Sequence, residues 1–207
     1  MSRGDWKAAL IIGGGVGLLI QPILANNVPG QYLAYLTLTA RIGVLVFFLL
    51  FAPFALYVAR LLSKWFSGIY QFAQFAAVGT LNSFIDLGVF NLETFFYGTS
   101  LIGNGLFAVF KAISFLCATT NSFVWNKYWT FGAQEKPKAG EVTGFYGVAL
   151  IGWVLNVAVA TLVKSAGPAS HAWVNIVAPL GGVAASFLWD FFGYKYWVFR
   201  KRPPVAI

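Results

Sequence analysis

A short segment of amide, lysine and aromatic residues at 121–131 carries side chains that could bind an anion. It reads Asn-Ser-Phe-Val-Trp-Asn-Lys-Tyr-Trp-Thr-Phe and ends a long apolar run. Lys127 supplies a positive charge, and Asn121 and Asn126 supply amide groups. Trp129 adds an indole N–H beside them. Because a phosphate needs both charge and hydrogen-bond donors, this set predicts a site for a phosphate-bearing head group.

A second segment near the C-terminus repeats this pattern. Residues 126–131 read Asn-Lys-Tyr-Trp-Thr-Phe and residues 194–199 read Tyr-Lys-Tyr-Trp-Val-Phe, which makes Lys195 the counterpart of Lys127. The pattern Phe-x-x-Val also occurs twice, starting at Phe75 and at Phe145. We therefore predict two helical hairpins in tandem as parallel repeats, with a pseudo-twofold axis along the membrane normal and a site between the halves.

Polar and ionisable residues also lie inside the apolar runs, where each is costly unless it is paired, hydrated or functional. Asn82 and Asp86 are four residues apart, and so share one face of a helix. Lys111 and Asn121 lie along one heptad-like face of the next run, and Asp190 lies near the end of the last. We predict that these residues line a polar path through which a phosphate head group could cross the membrane.

Simpler structural roles remain open for the same side chains. Asp86 and Lys111 can form an ion pair that only fixes the register of two helices. Asn82 and Asn121 can act as interhelical hydrogen-bond partners without touching a substrate. Each of these alternatives predicts a contact between neighbouring helices but no role in transport.

The two aromatic endings have an equally simple interpretation. Trp129 is typical of the aromatic belt at a membrane interface. Lys127 and Lys195 can extend their ammonium groups to the interface and so fix topology without binding a ligand. The functional and the structural interpretations therefore differ in whether loss of these side chains affects a bound lipid.

The composition indicates that lipid, rather than water, surrounds much of the chain. Of 207 residues, 59% are hydrophobic and only 10% are charged, whereas a soluble domain carries about a quarter charged residues. Lys and Arg lie between the apolar runs, so the net charge of +8 indicates loops facing anionic lipid rather than nucleic acid. The single cysteine, Cys117, and the single histidine, His171, exclude a clustered zinc or redox site. No cofactor or metal is expected.

We predict an all-α polytopic membrane protein with six transmembrane helices, of which the last four form the two parallel hairpin repeats. Glycines at 13 and 17 predict close packing of the first helix, which could also be read as a cleaved secretory signal. Residues 1–66 are predicted to form an N-terminal transmembrane hairpin, residues 67–202 a four-helix domain, and residues 203–207 a tail. The predicted spans are residues 8–25, 42–62, 72–97, 106–125, 143–163 and 174–192.

The distribution of basic residues predicts the orientation. With both termini in the cytoplasm, eleven Lys and Arg residues face the cytoplasm and only Arg41 and Lys164 face outwards, which follows the positive-inside rule. The chain is therefore expected in the inner membrane of a prokaryote. The cytoplasmic set is Arg3, Lys7, Arg60, Lys64, Lys127, Lys136, Lys138, Lys195, Arg200, Lys201 and Arg202.

Three motifs between residues 71 and 202 resemble the GtrA-like family of small membrane proteins. The resemblance implies a four-helix protein of cell-surface polysaccharide synthesis that flips polyprenyl-phosphate-linked sugars made by a partner glycosyltransferase. By position, it assigns the motif regions to Asn82, Asn121, Asn126, Lys127 and Trp129. Tyr194 replaces the expected asparagine in the last motif. The motifs are Phe75-Ala-Ala-Val-Gly-x-x-Asn82, Asn121-x-x-x-x-Asn-Lys-x-Trp-Thr-Phe131 and Lys195-x-Trp-Val-Phe199.

The function expected from these observations is translocation of a lipid-linked monosaccharide from the cytoplasmic to the outer leaflet, without covalent chemistry and therefore without enzyme activity. The proposed binding set includes Asp86, Lys111, Asp190 and Lys195 besides the motif residues. The expected partners are the polyprenyl-phosphate sugar, its glycosyltransferase, membrane lipids and, as an option, a second copy in a homodimer. Two alternatives stay open, namely a proton-coupled cation exporter using Asp86 or Glu93 and a non-transporting anchor for a glycosyltransferase.

Overall fold

The computed structural model describes residues 1–66, 68–97, 104–168, 173 and 177–199, and this part of the chain is helical. A 3-10 helix at Gly30–Tyr35 and π-helical segments at Asn126–Thr130 and Tyr194–Val198 complete the order of elements. Each predicted span overlaps one α-helix. The α-helices are α1 (Arg3–Asn27), α2 (Leu38–Leu62), α3 (Ile69–Tyr97), α4 (Asn104–Trp125), α5 (Ala139–Ala166) and α6 (Ala178–Gly193).

Helices α1, α2, α3 and α5 are long and apolar enough to cross a membrane. Large apolar side chains on them face outwards, including Leu50, Phe96 and Trp153, as expected when lipid is the solvent. The protein is therefore an all-helical membrane protein. A total of six spans stays a prediction, because four helices among the described residues qualify as candidate spans.

The chain forms two compact units, Met1–Thr130 and Phe131–Ile207. Unit 1 contains α1 to α4 and the first π-helical segment, and unit 2 contains α5, α6 and the second. Within unit 1, α1 packs extensively against both α2 and α3. The N-terminal hairpin, formed by α1 and α2, therefore shares a packing core with α3. The domain boundary at residue 66 stays a prediction.

Helix α1 begins earlier and ends later than the predicted span at residues 8–25. It begins earlier because Ser2 and Asp5 form a capping box, in which the Ser2 Oγ accepts from the Asp5 N–H at 3.1 Å. It continues through Pro22, which the sequence predicts near its end. The Gln21 amide donates to the Gly17 carbonyl at 2.9 Å, one turn before the proline. Local side-chain bonds therefore lengthen the helix at one end and support it near the other.

The glycines of α1 permit the close packing that their spacing predicts. A Cβ added at Gly13 would overlap the backbone carbonyl of Phe48, and one added at Gly17 would lie 2.9 Å from the Leu45 Cα. The backbones of α1 and α2 thus approach each other at two points one turn apart. Ile12 and Val16, each directly before one of these glycines, are 2% exposed and belong to the core of the unit.

We expect Gly13→Leu to lower the free energy of unfolding by about 3 kcal/mol, because the overlap involves backbone atoms that cannot move without separating two helices. Thermal unfolding of the detergent-purified protein measures this. The matched control is Gly43→Leu on α2, where an added Cβ meets nothing within 4 Å. Equal unfolding temperatures for the two variants would contradict the close packing.

Helix α3 lies between α1 and α4, and its buried residues recur every three or four positions, as in a helix packed on two sides. Val78 and Leu81 join Ile12 and Val16 in the core. Gly88 brings α3 close to α1, since an added Cβ would lie 2.9 Å from a side-chain carbon of Leu19. The packing leaves Asn82 and Asp86 to meet α4.

Unit 2 consists of α5 packed along α6. Gly182 lies against the Asn156 carbonyl of α5, and the Asn156 amide donates to the Ser186 hydroxyl at 3.2 Å. At the other end of the pair, the rings of Phe145 and Tyr194 stack with centroids 4.3 Å apart. The pair therefore combines a small-residue contact with one interhelical polar bond.

The two predicted repeat copies share local features. The Phe-x-x-Val residues of both copies are buried, namely Phe75, Val78, Phe145 and Val148. Both Lys-Tyr-Trp endings form π-helical segments of five residues. These features agree with a repeat at the level of single hairpins, and the arrangement of the hairpins as parallel repeats stays a prediction.

Candidate functional site

An ion pair joins α3 and α4 in the middle of unit 1. The Lys111 Nζ lies 2.5 Å from the Asp86 Oδ2, and the Ser114 hydroxyl donates to the other carboxylate oxygen at 2.6 Å. Ser114 is fully buried, whereas the side chains of Lys111 and Asp86 are 44% and 25% exposed. The carboxylate thus has donors for both oxygens, while nearly half of the Lys111 side chain stays exposed.

A second polar contact lies further along the same helix pair. The Asn121 amide donates to the Asn82 side-chain carbonyl at 2.7 Å. Four predicted site residues therefore meet in two contacts between α3 and α4, while their role in binding stays a prediction. Both contacts are also what the purely structural interpretation requires, so the geometry alone does not assign them to a substrate.

The first π-helical segment follows α4 directly and is buried. Lys127 is 0% exposed and Asn126 is 1% exposed, and the Lys127 Nζ lies 5.7 Å from the centre of the Tyr128 ring. The Asn126 amide donates to the Ser122 hydroxyl at 3.2 Å, but the Asn126 Oδ1 and the Thr130 hydroxyl have no partner among the described residues. The segment therefore buries a cation beside two unsatisfied oxygens, a state that native proteins seldom keep without a use.

Trp129 contacts Asp5, a residue that the sequence does not mark as functional. Its indole N–H donates to the Asp5 Oδ1 at 3.1 Å, and the Gln74 amide approaches the same oxygen at 3.4 Å. The Trp129 ring also meets Trp125 edge to face at 5.6 Å. The start of α1 thus holds the π-helical segment in place. The Ser-x-x-Asp pattern at residues 2–5 is the only sequence signal, and it predicts a helix cap rather than a contact with residue 129.

In unit 2, the predicted site residues Asp190 and Lys195 lie near the end of the helix pair. The Asp190 carboxylate packs against Gly152 of α5, where an added Cβ would overlap it. Its Oδ1 is buried and has no hydrogen-bond partner among the described residues. The Lys195 Nζ lies 5.4 Å from the ring centre of Phe191 and 5.7 Å from that of Tyr196. These two side chains are thus held by packing rather than by the polar pairing seen in unit 1.

The second π-helical segment differs from the first at its leading residue. Tyr194, at the position of Asn126, is buried and stacks on Phe145. The segment is closed by the Phe199 N–H, which donates to the Tyr194 carbonyl at 2.8 Å. An aromatic ring therefore occupies the place at which the first segment has a buried amide.

No group of three or more metal-ligating side chains occurs in the described parts of the chain. The polar groups of the α3–α4 pair instead comprise a carboxylate, an ammonium, a hydroxyl and two amides. Such a set can exchange hydrogen bonds and charge with a polar head group. The fold and this set together define a multi-pass membrane protein with a polar contact line inside a helix pair.

The family of the chain follows from comparison with known proteins. Residues 74–199 match the family described as GtrA/DPMS, transmembrane domain, and the chain therefore belongs to this family. The match includes all nine predicted site residues and excludes α1, α2 and Asp5.

One relative is the protein described as uncharacterized membrane protein YngA from Bacillus subtilis (strain 168). It is 28% identical to the chain over 126 residues, which cover 61% of this chain and 77% of the relative. No solved structure matches the chain.

Proposed function

We propose that the protein moves a polyprenyl-phosphate-linked monosaccharide from the cytoplasmic to the outer leaflet of the inner membrane, for a cell-surface glycan. The observation that carries the proposal is the Lys111–Asp86–Ser114 group on α3 and α4, inside the matched family region. An ion pair inside a membrane is costly, and one whose lysine side chain stays partly exposed suits a phosphate ligand.

The phosphate would bind Lys111 by replacing part of its contact with Asp86. Ser114 keeps one carboxylate oxygen of Asp86 satisfied during this exchange, because its hydroxyl donates at 2.6 Å. The sugar hydroxyls would then hydrogen-bond to the amides of Asn82 and Asn121, while the isoprenoid tail stays in lipid. Each step exchanges one polar contact for another, so no charge crosses the hydrocarbon without a partner.

Lys127 would bind the phosphate only after the segment around it opens, because its side chain is fully buried in the described conformation. We propose that the π-helical segment opens to admit the head group, and that Asn126 and Thr130 then use their unsatisfied oxygens to bind sugar hydroxyls. π-helical segments are frequent at functional sites and are less well bonded than the α-helix they interrupt.

The Asp86 geometry weakens the form of the cation-exporter alternative that uses this carboxylate. Asp86 is already paired with Lys111, whose charge would repel a cationic cargo. Such an exporter would lose activity on Asp86→Asn and tolerate loss of Lys111. A non-transporting anchor would instead bind a glycosyltransferase in pull-down and move no lipid when purified.

Flipping of labelled polyprenyl-phosphate sugar in vesicles that contain only the purified protein tests the proposal. We expect Lys111→Ala and Lys127→Ala each to lower the rate by at least about tenfold, because each removes a charge assigned to the phosphate path. Lys136→Gln is the control, since Lys136 is exposed in a loop. Wild-type rates for both alanine variants would refute the proposal.

A further inference from the structure

We propose that the N-terminal hairpin holds one anionic phospholipid of the cytoplasmic leaflet, with an acyl chain in a groove between α1, α2 and α3 and the phosphate on Arg60 and Lys64. The groove lies outside the matched family region except for part of α3. The proposal does not depend on lipid flipping.

The groove has a cavity volume of about 240 Å³. α1 forms its floor with the buried residues Ile12 and Val16, and α2 and α3 form its walls. The groove opens because α2 and α3 pack less extensively against each other than each packs against α1. Thr80 is the single polar residue of the lining, so the groove suits a hydrocarbon chain.

The length of the groove fits part of an acyl chain from one leaflet. Along α3 it runs from Ala73 to Thr80, which is about 10 Å of helix. This is about a third of the hydrocarbon thickness of a bilayer. Small side chains on the α3 side of the groove leave room for an acyl chain to lie against this helix. They belong to Ala73, Ala76 and Ala77. A polyprenyl tail that spans more of the membrane would not be enclosed.

Two basic residues beyond the groove-lining part of α2, Arg60 and Lys64, favour a lipid with an anionic head group. Ala52 and Leu56 line the groove on α2, and Arg60 continues the same i, i+4 face beyond them. Arg60 stacks over the Tyr70 ring of α3, with its guanidinium carbon 5.4 Å from the ring centre. This contact joins the two walls at the mouth and leaves the exposed guanidinium at the level of a lipid phosphate.

Two further features favour an anionic head group at this end. Trp6 and Tyr57 stack with centroids 6.5 Å apart and are both partly exposed, as is typical of side chains at a lipid interface. The Asp5 carboxylate accepts from the Trp129 indole and the Ser2 N–H, and Arg60 forms no ion pair with any described residue, so its guanidinium can pair with a phosphate.

Native mass spectrometry of the purified full chain tests the site, with phosphatidylglycerol and phosphatidylcholine of identical acyl chains as probes. We expect one phosphatidylglycerol to bind about tenfold more tightly than phosphatidylcholine. The double variant Arg60→Gln, Lys64→Gln should remove this preference, and Ala55→Phe at the groove should weaken both lipids. The controls are Lys136→Gln in a loop and Ala158→Phe on the exposed face of α5.

Three results would overturn the proposal. The first is equal binding of the two lipids by the wild type, and the second is an equal effect of Ala55→Phe and Ala158→Phe. The third is binding of polyprenyl phosphate at this site with no binding of phosphatidylglycerol, which would make the groove part of the transport path. Flipping rates of the same variants separate this outcome from the proposed function, because loss of the phospholipid leaves Lys111 and Asp86 in place.

Discussion

Replacement of both members of the Asp86–Lys111 pair, by Asp86→Asn with Lys111→Met, is expected to restore the stability that either single change removes while lipid flipping stays abolished. Each single change leaves the remaining side chain, Lys111 or Asp86, without its ion-pair partner between α3 and α4. We expect a loss of about 1–3 kcal/mol for each, less than for a fully buried pair because Lys111 is 44% exposed. The double variant contains no unpaired charge and keeps a side chain for Ser114 to contact.

This design separates the two interpretations of the ion pair. Stability is read from thermal unfolding in detergent, and transport from flipping of labelled polyprenyl-phosphate sugar in vesicles. If the pair only fixes helix register, the double variant should recover stability and flipping together. If Lys111 binds the phosphate, only stability should recover. Lys111→Arg, which keeps the charge, should then retain part of the flipping rate.

Replacement of Asp190 is expected to increase stability, whereas the single changes at Asp86 and Lys111 are expected to decrease it. Asp190→Asn should raise the free energy of unfolding by about 1 kcal/mol, because the buried Oδ1 has no donor among the described residues and the change removes its charge. Asp86→Asn is the matched comparison, since the Asp86 carboxylate accepts from both Lys111 and Ser114. The same substitution should therefore stabilise one helix pair and destabilise the other.

The functional part of the prediction is a loss of flipping in Asp190→Asn despite the gain in stability. A costly side chain that is retained is expected where activity requires it. Unfolding and flipping are measured on one preparation. A lower unfolding temperature in Asp190→Asn would show that the carboxylate has a stabilising partner, and an unchanged flipping rate would remove Asp190 from the binding set.

The helices of unit 1 and the polar contacts between α3 and α4 were predictable from the sequence, because apolar length and four-residue spacing depend on local geometry alone. The pairs Asp86–Lys111 and Asn82–Asn121 follow from two antiparallel helices with polar faces. Helix ends were less predictable. At the start of α1, the Ser2 hydroxyl accepts from the Asp5 N–H, and at the start of α5, the Glu141 carboxylate accepts from the Lys138 N–H, so both helices continue beyond their apolar runs.

The contacts between distant segments could not be predicted in the same way. The bond between Trp129 and Asp5 joins residues 124 positions apart, and no local pattern at either residue specifies the other. The burial of Lys127 was likewise hidden, since a lysine among aromatic residues at the end of a span is usually exposed to the interface. The π-helical geometry of both endings depends on packing that their composition does not encode.

The two π-helical segments have a consequence for the evolution of the chain. If they descend from one ancestral hairpin, duplication released one copy from the constraint on the other. The first copy has a buried asparagine with an unsatisfied oxygen, and the second has a tyrosine stacked on Phe145. Substitution of the asparagine among descendants would change what the segment can bind, whereas exchange of the tyrosine for another ring would change only packing. Selection for the ligand would thus act on position 126 of the first segment, and selection for folding on position 194 of the second.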